Sequence, residues 1–366
     1  MADSLAFFFG LSFFLTILIS PLLIVALKSW GITRRTERDF SALISSRAEK
    51  AGTPVMGGVV IIFVVTLLTV LFNWDRATTY VPIGVLLLAA FLGGADDLLN
   101  IFYQKDRHIP TFGRIMRLIS VHKYMGMRMW YAVTLPWHAY KRFFYMLGSH
   151  PGGGIQAHEK ILVQFVIGVI VAWWISFKLD WTEVWLPWIG SVDTDLFIVP
   201  LIIFLVMFMA NAVNITDGID GLSAGTLVFA YGAYFFIALQ QGSNEIALLI
   251  ATIIGALLGY LFFNIKPAKY QMGDVASLGM GIMLTAIAFA LDRVILLPLI
   301  GGIFIIEIFS VLLQAFWRVA FGRRLFLMAP LHHHLELIGW SEARIVMYAW
   351  ATGAIFAIIG VWVSIH

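Results

Sequence analysis

The sequence predicts an all-α polytopic membrane protein with about ten membrane-spanning helices. Hydrophobic residues make up 61% of the 366 residues and charged residues only 12%, whereas a soluble domain is about half apolar and about a quarter charged. The apolar residues also form long unbroken runs, unlike the alternating segments of about ten residues that are typical of a membrane β-barrel. The same composition excludes intrinsic disorder, which requires low hydrophobicity.

Ten runs approach the roughly 20 apolar residues that a helix needs to cross a bilayer. The first run is too long for a secretory signal peptide, and Asp3 stands at its front where a basic cluster would be expected. We therefore expect one integral membrane domain comprising residues 1–366. The predicted spans lie at about residues 5–27, 55–73, 80–95, 161–177, 196–213, 222–240, 244–263, 275–291, 294–317 and 345–365.

The distribution of Lys and Arg predicts the orientation of these spans. When the loops are assigned alternately to the two sides, 21 of the 24 basic residues fall on one side. Only Arg76, Lys178 and Arg293 fall on the other side. Because basic residues concentrate in cytoplasmic loops, the rich side is predicted to be cytoplasmic and both termini external.

A long insert separates the third predicted span from the fourth. Within it, residues 129–147 are fairly apolar but contain Pro136, His138, Lys141 and Arg142, and a further span here would destroy the charge asymmetry. Residues 101–153 are therefore interpreted as a cytoplasmic insert. Its mixture of basic and aromatic residues suits an amphipathic segment on the membrane surface, and a small helical hairpin packed on the domain is the alternative.

Five aspartates from three distant loops are predicted to meet on the cytoplasmic side. Asp96 and Asp97 end the third span, Asp217 and Asp220 follow the fifth, and Asp274 precedes the eighth. Oxygen ligands of this kind suit Mg²⁺, which takes one or two carboxylates together with substrate phosphates. Helix capping is the alternative role, and it fits Asp274 best because carboxylates favour helix N-termini.

Basic residues on the same side could bind phosphate groups. Lys50 precedes the glycine-rich segment GTPVMGG, Lys160 opens the fourth span, and His332, His333 and His334 lie in the last cytoplasmic loop. A metal site formed by three adjacent histidines is hard to build, since one ion cannot easily be reached by all three rings. A solvated loop is the alternative interpretation for the histidines.

Two classes of function are compatible with this distribution. One is an enzyme that joins a phosphorylated soluble substrate to a lipid at the cytoplasmic face, and the other is a secondary transporter. Transporters bind substrate near the bilayer midplane, often within inverted repeats, whereas these acids lie at the membrane face. The chain has no cysteine and no nucleotide-binding fingerprint, and its net charge of +3 does not indicate a nucleic-acid partner.

Several segments resemble the phospho-N-acetylmuramoyl-pentapeptide transferases of the polyprenyl-phosphate sugar-1-phosphate transferase superfamily. The superfamily shares the aspartate pair and the NAVNITDGIDGL block, and the three-histidine loop is more specific to the muramoyl-pentapeptide branch. The matching segments are KAGTPVMGG, Asp96-Asp97, NAVNITDGIDGL, FFNIKPAKYQMGDVASL, the surroundings of Glu307, and MAPLHHHLELIGW.

The resemblance implies a ten-helix fold, a cytoplasmic active site in the bacterial inner membrane, and transfer of phospho-N-acetylmuramoyl-pentapeptide from UDP-MurNAc-pentapeptide to undecaprenyl phosphate. The products would be lipid I and UMP, in peptidoglycan synthesis and hence in cell-wall biogenesis, cell shape and cell division. It also implies a Mg²⁺ requirement, contact with membrane lipids and formation of a homodimer. The alternative within the superfamily is transfer of N-acetylglucosamine-1-phosphate.

The resemblance also implies roles for individual residues. The catalytic residues would be Asp96, Asp97, Asp217, Lys160, His332, His333 and His334, and the Mg²⁺ ligands Asp274, Asp96 and Asp97. The nucleotide-sugar pocket would include Lys50, Asn211, Asn214, Gly218, Ile219, Asp220, Asn264 and Gln271.

The sequence departs from the family pattern in three places. Asn100 stands near a usual lysine, Gln271 replaces a phenylalanine that can stack on uracil, and the long insert replaces a short loop. The residues are compatible both with direct attack by the lipid phosphate and with a two-step route through an aspartyl-phosphate.

Overall fold

A computed structural model describes residues 2–34, 50–75, 78–102, 112–146 and 155–366, and it confirms the all-α class. Fifteen α-helices are present in these ranges. They are α1 (Ala2–Ser29), α2 (Val59–Phe72), α3 (Tyr80–Phe102), α4 (Phe112–Val121), α5 (Met125–Val133), α6 (Leu135–Met146), α7 (Ala157–Trp173), α8 (Ile198–Thr216), α9 (Leu222–Gln240), α10 (Asn244–Asn264), α11 (Asp274–Ala290), α12 (Leu297–Ile300), α13 (Gly302–Phe321), α14 (Leu331–Leu337) and α15 (Glu342–Ile365).

Each of the ten predicted spans corresponds to an apolar helix. Among the described residues, eight helices are long and apolar enough to cross a membrane when α7 is taken together with the π-helical turn that continues it (Trp174–Lys178), while α2 and α11 are apolar but shorter. The ninth run differs most from its prediction, because a 3₁₀ turn (Val294–Leu296) and the short α12 precede α13. The count of ten spans and the external position of the termini stay predictions.

Helix α11 occupies the centre of the bundle. Every residue from Val275 to Phe289 is buried, so this helix is surrounded by protein. Small residues allow its neighbours to approach closely. A Cβ added at Gly281 would overlap the backbone carbonyl group of Met209 in α8, and one at Gly279 would lie 2.9 Å from Leu86 Cδ1 in α3. This central helix is therefore packed closely between α3 and α8.

A short hairpin covers the opposite end of α11. Strands β1 (Glu183–Leu186) and β2 (Gly190–Asp193) pair in an antiparallel register with Glu183 opposite Asp193. The Trp185 N–H donates to Asp292 Oδ1 at 3.0 Å, and the guanidinium of Arg293 lies 3.9 Å from the centre of the Trp185 ring. These contacts join the hairpin to the residues that follow α11.

Glycine residues bring the segments at the N-terminal end of α11 together. The N–H groups of Gly57 and Gly58 donate to the carbonyls of Gln271 and Met272 at 2.7 and 3.0 Å. In α3, Gly93 lies against the backbone of Asp274 so closely that an added Cβ would overlap its carbonyl group. Gly93 thus sets the distance between α3 and the first residue of α11.

We expect Gly93→Ala to destabilise the protein by about 1–3 kcal/mol, because the added methyl group overpacks a backbone–backbone contact. Gly84→Ala is the matched control in the same helix, since a Cβ there meets no atom within 4 Å. The control should be neutral or stabilising by up to about 1 kcal/mol, because alanine is the better helix former. Thermal unfolding in detergent measures both, and equal unfolding temperatures for the two variants would contradict the contact.

Candidate active site

Lys160 joins two carboxylates that come from different helices. Its Nζ lies 2.6 Å from Asp96 Oδ2 in α3 and 2.6 Å from Asp274 Oδ2 at the start of α11. Lys160 itself stands in the first turn of α7, so three helices meet at this ammonium group. The predicted convergence of Asp96, Asp274 and Lys160 is thereby seen in the structure. We call these three residues the carboxylate–lysine cluster.

Further donors hold the Asp96 carboxylate in this cluster. The Ile155 N–H donates to Asp96 Oδ1 at 2.6 Å, and Asn100 Nδ2 donates to Asp96 Oδ2 at 2.8 Å. Asp96 is almost fully buried, at 1% exposure, so these contacts replace hydration that the carboxylate has lost. Asn100 stands near the position where the family usually has a lysine. It donates a hydrogen bond to the Asp96 carboxylate without adding a positive charge.

At the N-terminus of α11, a backbone N–H donor is paired with Asp97 rather than with Asp274. Asp97 Oδ2 accepts from the Val275 N–H at 3.1 Å, where the positive end of the helix dipole favours a carboxylate. Gly273 occupies the N-cap position with φ of 76°, and this residue has no side chain that could cap the helix. The Asp274 carboxylate instead faces Lys160, so the capping role considered for Asp274 belongs to Asp97.

A second cluster of charges surrounds Lys50. Its Nζ lies 2.8 Å from Asp220 Oδ1 and 3.2 Å from Glu342 Oε1, and Lys266 Nζ lies 3.4 Å from Glu342 Oε2. The side chains of Lys50, Asp220 and Glu342 are all at least 92% buried. Two cations thus balance two carboxylates.

Polar side chains tie the loops of this second cluster to one another. Asp220 Oδ2 accepts from the Ala268 N–H at 3.1 Å. Asn264 Oδ1 accepts from the Gly221 N–H, and its Nδ2 donates to the Tyr270 carbonyl, both at 3.0 Å. These bonds fix the segment after α8 against the segment between α10 and α11. Asp220 thus binds Lys50 while Asn264 holds the adjoining loops together, and their role in a nucleotide-sugar pocket stays a prediction.

Asp217 lies between the two clusters. Burial removes water from its carboxyl group and raises its pKa to about 8, although the backbone N–H of Gly273 lowers it. The negative charges of Asp274 and Asp220 add to the rise, and the positive charge of Lys50 opposes it. Without a further cation, this group therefore stays largely protonated at neutral pH.

The three histidines point to different partners. His332 is fully buried, with Nδ1 3.0 Å from Glu307 Oε2. Its Nε2 faces Gly218, where any Cβ would overlap the ring, and has no hydrogen-bond partner among the residues described. His333 Nδ1 lies 2.7 Å from Glu336 Oε2, and His334 Nδ1 accepts from the Leu327 N–H at 3.3 Å. His332 therefore contacts the loop that carries Asp217.

Two other residues predicted for the nucleotide-sugar pocket, Asn211 and Ile219, have side chains that contact other parts of the protein. Asn211 Nδ2 donates to Gln164 Oε1 at 2.6 Å and to the Met207 carbonyl at 2.7 Å, which joins α7 to α8. The Ile219 side chain is buried among Leu222, Ile345 and Val346, so only its backbone is available to a ligand. The side chain of Asn214 makes no hydrogen bond within the described ranges.

Gln271 fills the position where the family usually has a phenylalanine. Its Oε1 accepts from an Arg34 guanidinium N–H at 3.4 Å. Its backbone N–H also donates to the Pro54 carbonyl at 2.8 Å. The side chain thus makes a polar contact with Arg34 and presents no ring for stacking.

The insert touches the helix that carries Lys160. Tyr140 Oη in α6 donates to the His158 carbonyl at 3.1 Å. The rings of Trp137, Tyr140 and Phe144 lie 5.3, 6.1 and 6.3 Å from the ring of His158, which is fully buried. Because Lys160 follows two residues later, α6 supports the turn that places its ammonium group. A capping box between Gln156 and Glu159 stabilises the same turn.

Comparison with known proteins identifies the family. A family model described as glycosyl transferase family 4 matches residues 153–292. The phospho-N-acetylmuramoyl-pentapeptide-transferase of Anoxybacillus flavithermus is 34% identical over 97% of this chain and 96% of its own length. The proteins of the same name from a Geobacillus species and from Bacillus subtilis are 34% and 31% identical over the same shares.

The chain belongs to the phospho-N-acetylmuramoyl-pentapeptide transferases. This confirms the resemblance based on the motifs, and the match extends over almost the entire chain.

Two contributors to the site were missed by sequence reasoning. Glu342 stands in the first turn of α15 and contacts both Lys50 and Lys266, and Gln164 anchors Asn211. An acidic residue directly after the N-cap Ser341 is an ordinary helix start, so nothing local distinguished Glu342. The scarcity of carboxylates in so apolar a chain is the signal that could have marked Glu342 as a site residue.

The raised pKa of Asp217 predicts a pH-dependent stability. Because the folded pKa of about 8 exceeds the usual value of 3.8, the folded state binds this proton more tightly than the unfolded state. The stabilisation is complete below about pH 4 and is lost as the pH rises through about 8. Thermal unfolding in EDTA should therefore show a falling midpoint over that range, with a smaller fall in Asp217→Asn. If the unfolding temperatures of the unmodified protein and Asp217→Asn fell equally with pH, the raised pKa would not belong to Asp217.

Proposed function

We propose that this chain transfers phospho-N-acetylmuramoyl-pentapeptide from UDP-MurNAc-pentapeptide to undecaprenyl phosphate, giving lipid I and UMP in peptidoglycan synthesis. The observation that carries the proposal is the convergence of two carboxylates, from α3 and α11, on one lysine of α7, in a chain that matches curated transferases over 97% of its length. Such a cluster suits the joining of a nucleoside diphosphate sugar to a lipid phosphate.

The reaction needs charge neutralisation and positioning more than a strong base. An oxygen of the lipid phosphate would attack the phosphorus that carries the sugar, forming one P–O bond, while the P–O bond to UMP breaks. A phosphomonoester has its second pKa near 6 and is already mostly dianionic at pH 7. The main obstacle is repulsion between two anions, which Lys160, Lys50 and Lys266 are placed to reduce.

The donor set fits a magnesium ion. No group of three or more acidic or histidine side chains forms a complete metal cage within the described ranges. Asp96 and Asp274 nevertheless point at one cationic position, taken here by the Lys160 ammonium group. Since Mg²⁺ commonly uses one or two carboxylates together with water and substrate phosphate, these two residues would hold it. Asp97 would add a neighbouring carboxylate, and the ion would supply positive charge to the diphosphate.

The distribution of basic residues supports a location in the bacterial inner membrane with the active site on the cytoplasmic face. Lys50 and Lys160 belong to the side that holds 21 of the 24 basic residues, and UDP-sugars are soluble substrates. Homodimerisation stays a prediction.

A donor comparison tests the proposal. The purified protein with undecaprenyl phosphate and Mg²⁺ should release UMP from UDP-MurNAc-pentapeptide. Release from UDP-GlcNAc alone would instead support the N-acetylglucosamine-1-phosphate transferase. A secondary transporter would release UMP from neither donor.

Asp274→Asn separates metal binding from a structural role. The amide keeps one neutral oxygen but loses the negative charge that a hard divalent ion requires. We expect normal folding, loss of most UMP release and partial recovery at high Mg²⁺. Asp292→Asn is the matched control, because Asp292 follows the opposite end of α11 and binds the Trp185 N–H.

The control should keep most of its turnover. Near-normal turnover of Asp274→Asn at low Mg²⁺ would remove Asp274 from the metal site and leave Asp96 and Asp97 to hold the ion.

A further inference from the structure

The insert has an exposed surface that the transfer reaction does not use. It comprises α4, α5 and the loop between them, and it includes Val121, Tyr124, Met125, Met129, Trp130 and Val133. These six side chains are 62–75% exposed, and α5 has no buried residue. We call this the insert surface. An aqueous domain would not usually leave so many large apolar side chains adjacent and uncovered.

The insert helices are too short to cross a bilayer. They contain 10, 9 and 12 residues, so at 1.5 Å per residue each is at most about 18 Å long, against about 30 Å of hydrocarbon. They also contact one another, and Arg128 Nε donates to the Ile119 carbonyl at 2.7 Å. The insert is therefore a small body at one end of the bundle.

That end is the one that carries the active site. The insert leaves α3 just after Asp96 and Asp97, and it returns to α7 just before Lys160. Tyr140 and Trp137 also pack on the first turn of α7. The insert surface thus lies beside the ends of two predicted spans, where a membrane surface would be within reach.

The charge of the insert is one-sided. The three helices and their connections carry six basic residues and no acidic residue, and no Asp or Glu occurs anywhere from 107 to 158. The six are Arg114, Arg117, Lys123, Arg128, Lys141 and Arg142. Lysine and arginine beside exposed Trp, Met and Val side chains are the composition of helices that lie in the interface of an anionic bilayer.

We propose that the insert surface binds an anionic phospholipid surface beside the active site. The apolar side chains of α5 would enter the boundary between headgroups and acyl chains, and Arg114, Arg117 and Lys123 would lie among the lipid phosphates. Charge complementarity selects this partner, because a neutral bilayer would favour burial of the apolar side chains but would offer no anionic groups to Arg114, Arg117 and Lys123.

A single labelled cysteine provides the test, since the chain contains no cysteine of its own. The complete protein carrying Met129→Cys is labelled with an environment-sensitive dye and placed in nanodiscs. The discs contain phosphatidylcholine either alone or with phosphatidylglycerol, and doxyl-labelled lipids serve as quenchers. We expect blue-shifted emission and strong quenching in the anionic discs, and a weaker effect in the neutral discs.

Charge variants complete the test. Arg114→Gln/Arg117→Gln should reduce the ratio of lipid-contacting to lipid-free label in anionic discs by about thirtyfold, as expected for two charges lost near an anionic surface. Arg323→Gln/Arg324→Gln, in the loop after α13, is the matched control and should leave the label unchanged. Circular dichroism and UMP release confirm that each variant is folded.

Three results would overturn the proposal. Water-like emission in both kinds of disc would show that the insert surface does not touch lipid. Equal quenching in neutral and anionic discs would remove the charge selectivity. An apolar dye environment that persists in detergent without quenching would mean that protein, such as a second copy of this chain, covers the surface.

Discussion

Two negative charges meet at the start of the central helix, and one ammonium group between them makes that arrangement possible. Asp96 and Asp274 belong to α3 and α11, and Lys160 Nζ lies 2.6 Å from an oxygen of each. At such distances in a poorly solvated interior, two carboxylates without a cation would repel one another strongly. The cation therefore determines whether α3, α7 and α11 can end at the same place.

The remaining site follows from how these helix ends are held. Gly93 allows α3 to reach the backbone of Asp274, and Asp97 then binds the Val275 N–H. On the other side, Asp217 connects this cluster electrostatically to Lys50 and Asp220. Because α11 is enclosed by protein along its length, a movement of its N-terminus would have to displace several neighbours. A rigid position for Asp274 is what a reaction that depends on charge placement requires.

Much of this arrangement could be predicted because a membrane chain has few polar residues. Long apolar runs located the helices, and the rare carboxylates and lysines indicated one functional face. The boundaries of α13 and the shortness of α2 could not be read from hydropathy, which does not distinguish lipid-facing from protein-facing residues.

The individual contacts were less accessible to sequence reasoning, because they depend on long-range packing. Spacing gave no reason to pair Asp97 with the N-terminus of α11, to place Glu342 beside Lys50, or to commit Asn211 to Gln164. The family resemblance marked Gly218 as a ligand contact, and the structure adds a steric reason for glycine, since the His332 ring occupies the space of a side chain. The position of the insert on α7 arises from Trp137 and Tyr140, which composition alone could not distinguish from its other aromatic residues.

The thermal stability of Lys160→Met, measured across Mg²⁺ concentrations, tests most directly whether Asp96 and Asp274 share one cation position. Methionine keeps much of the side-chain volume but leaves Asp96 and Asp274 without their cation. We expect a lower unfolding temperature without metal, recovery as Mg²⁺ is added, and loss of that recovery in Lys160→Met/Asp274→Asn. An unfolding temperature that matches the unmodified protein without metal, or one that Mg²⁺ leaves unchanged, would contradict the claim that these two carboxylates share one cation position.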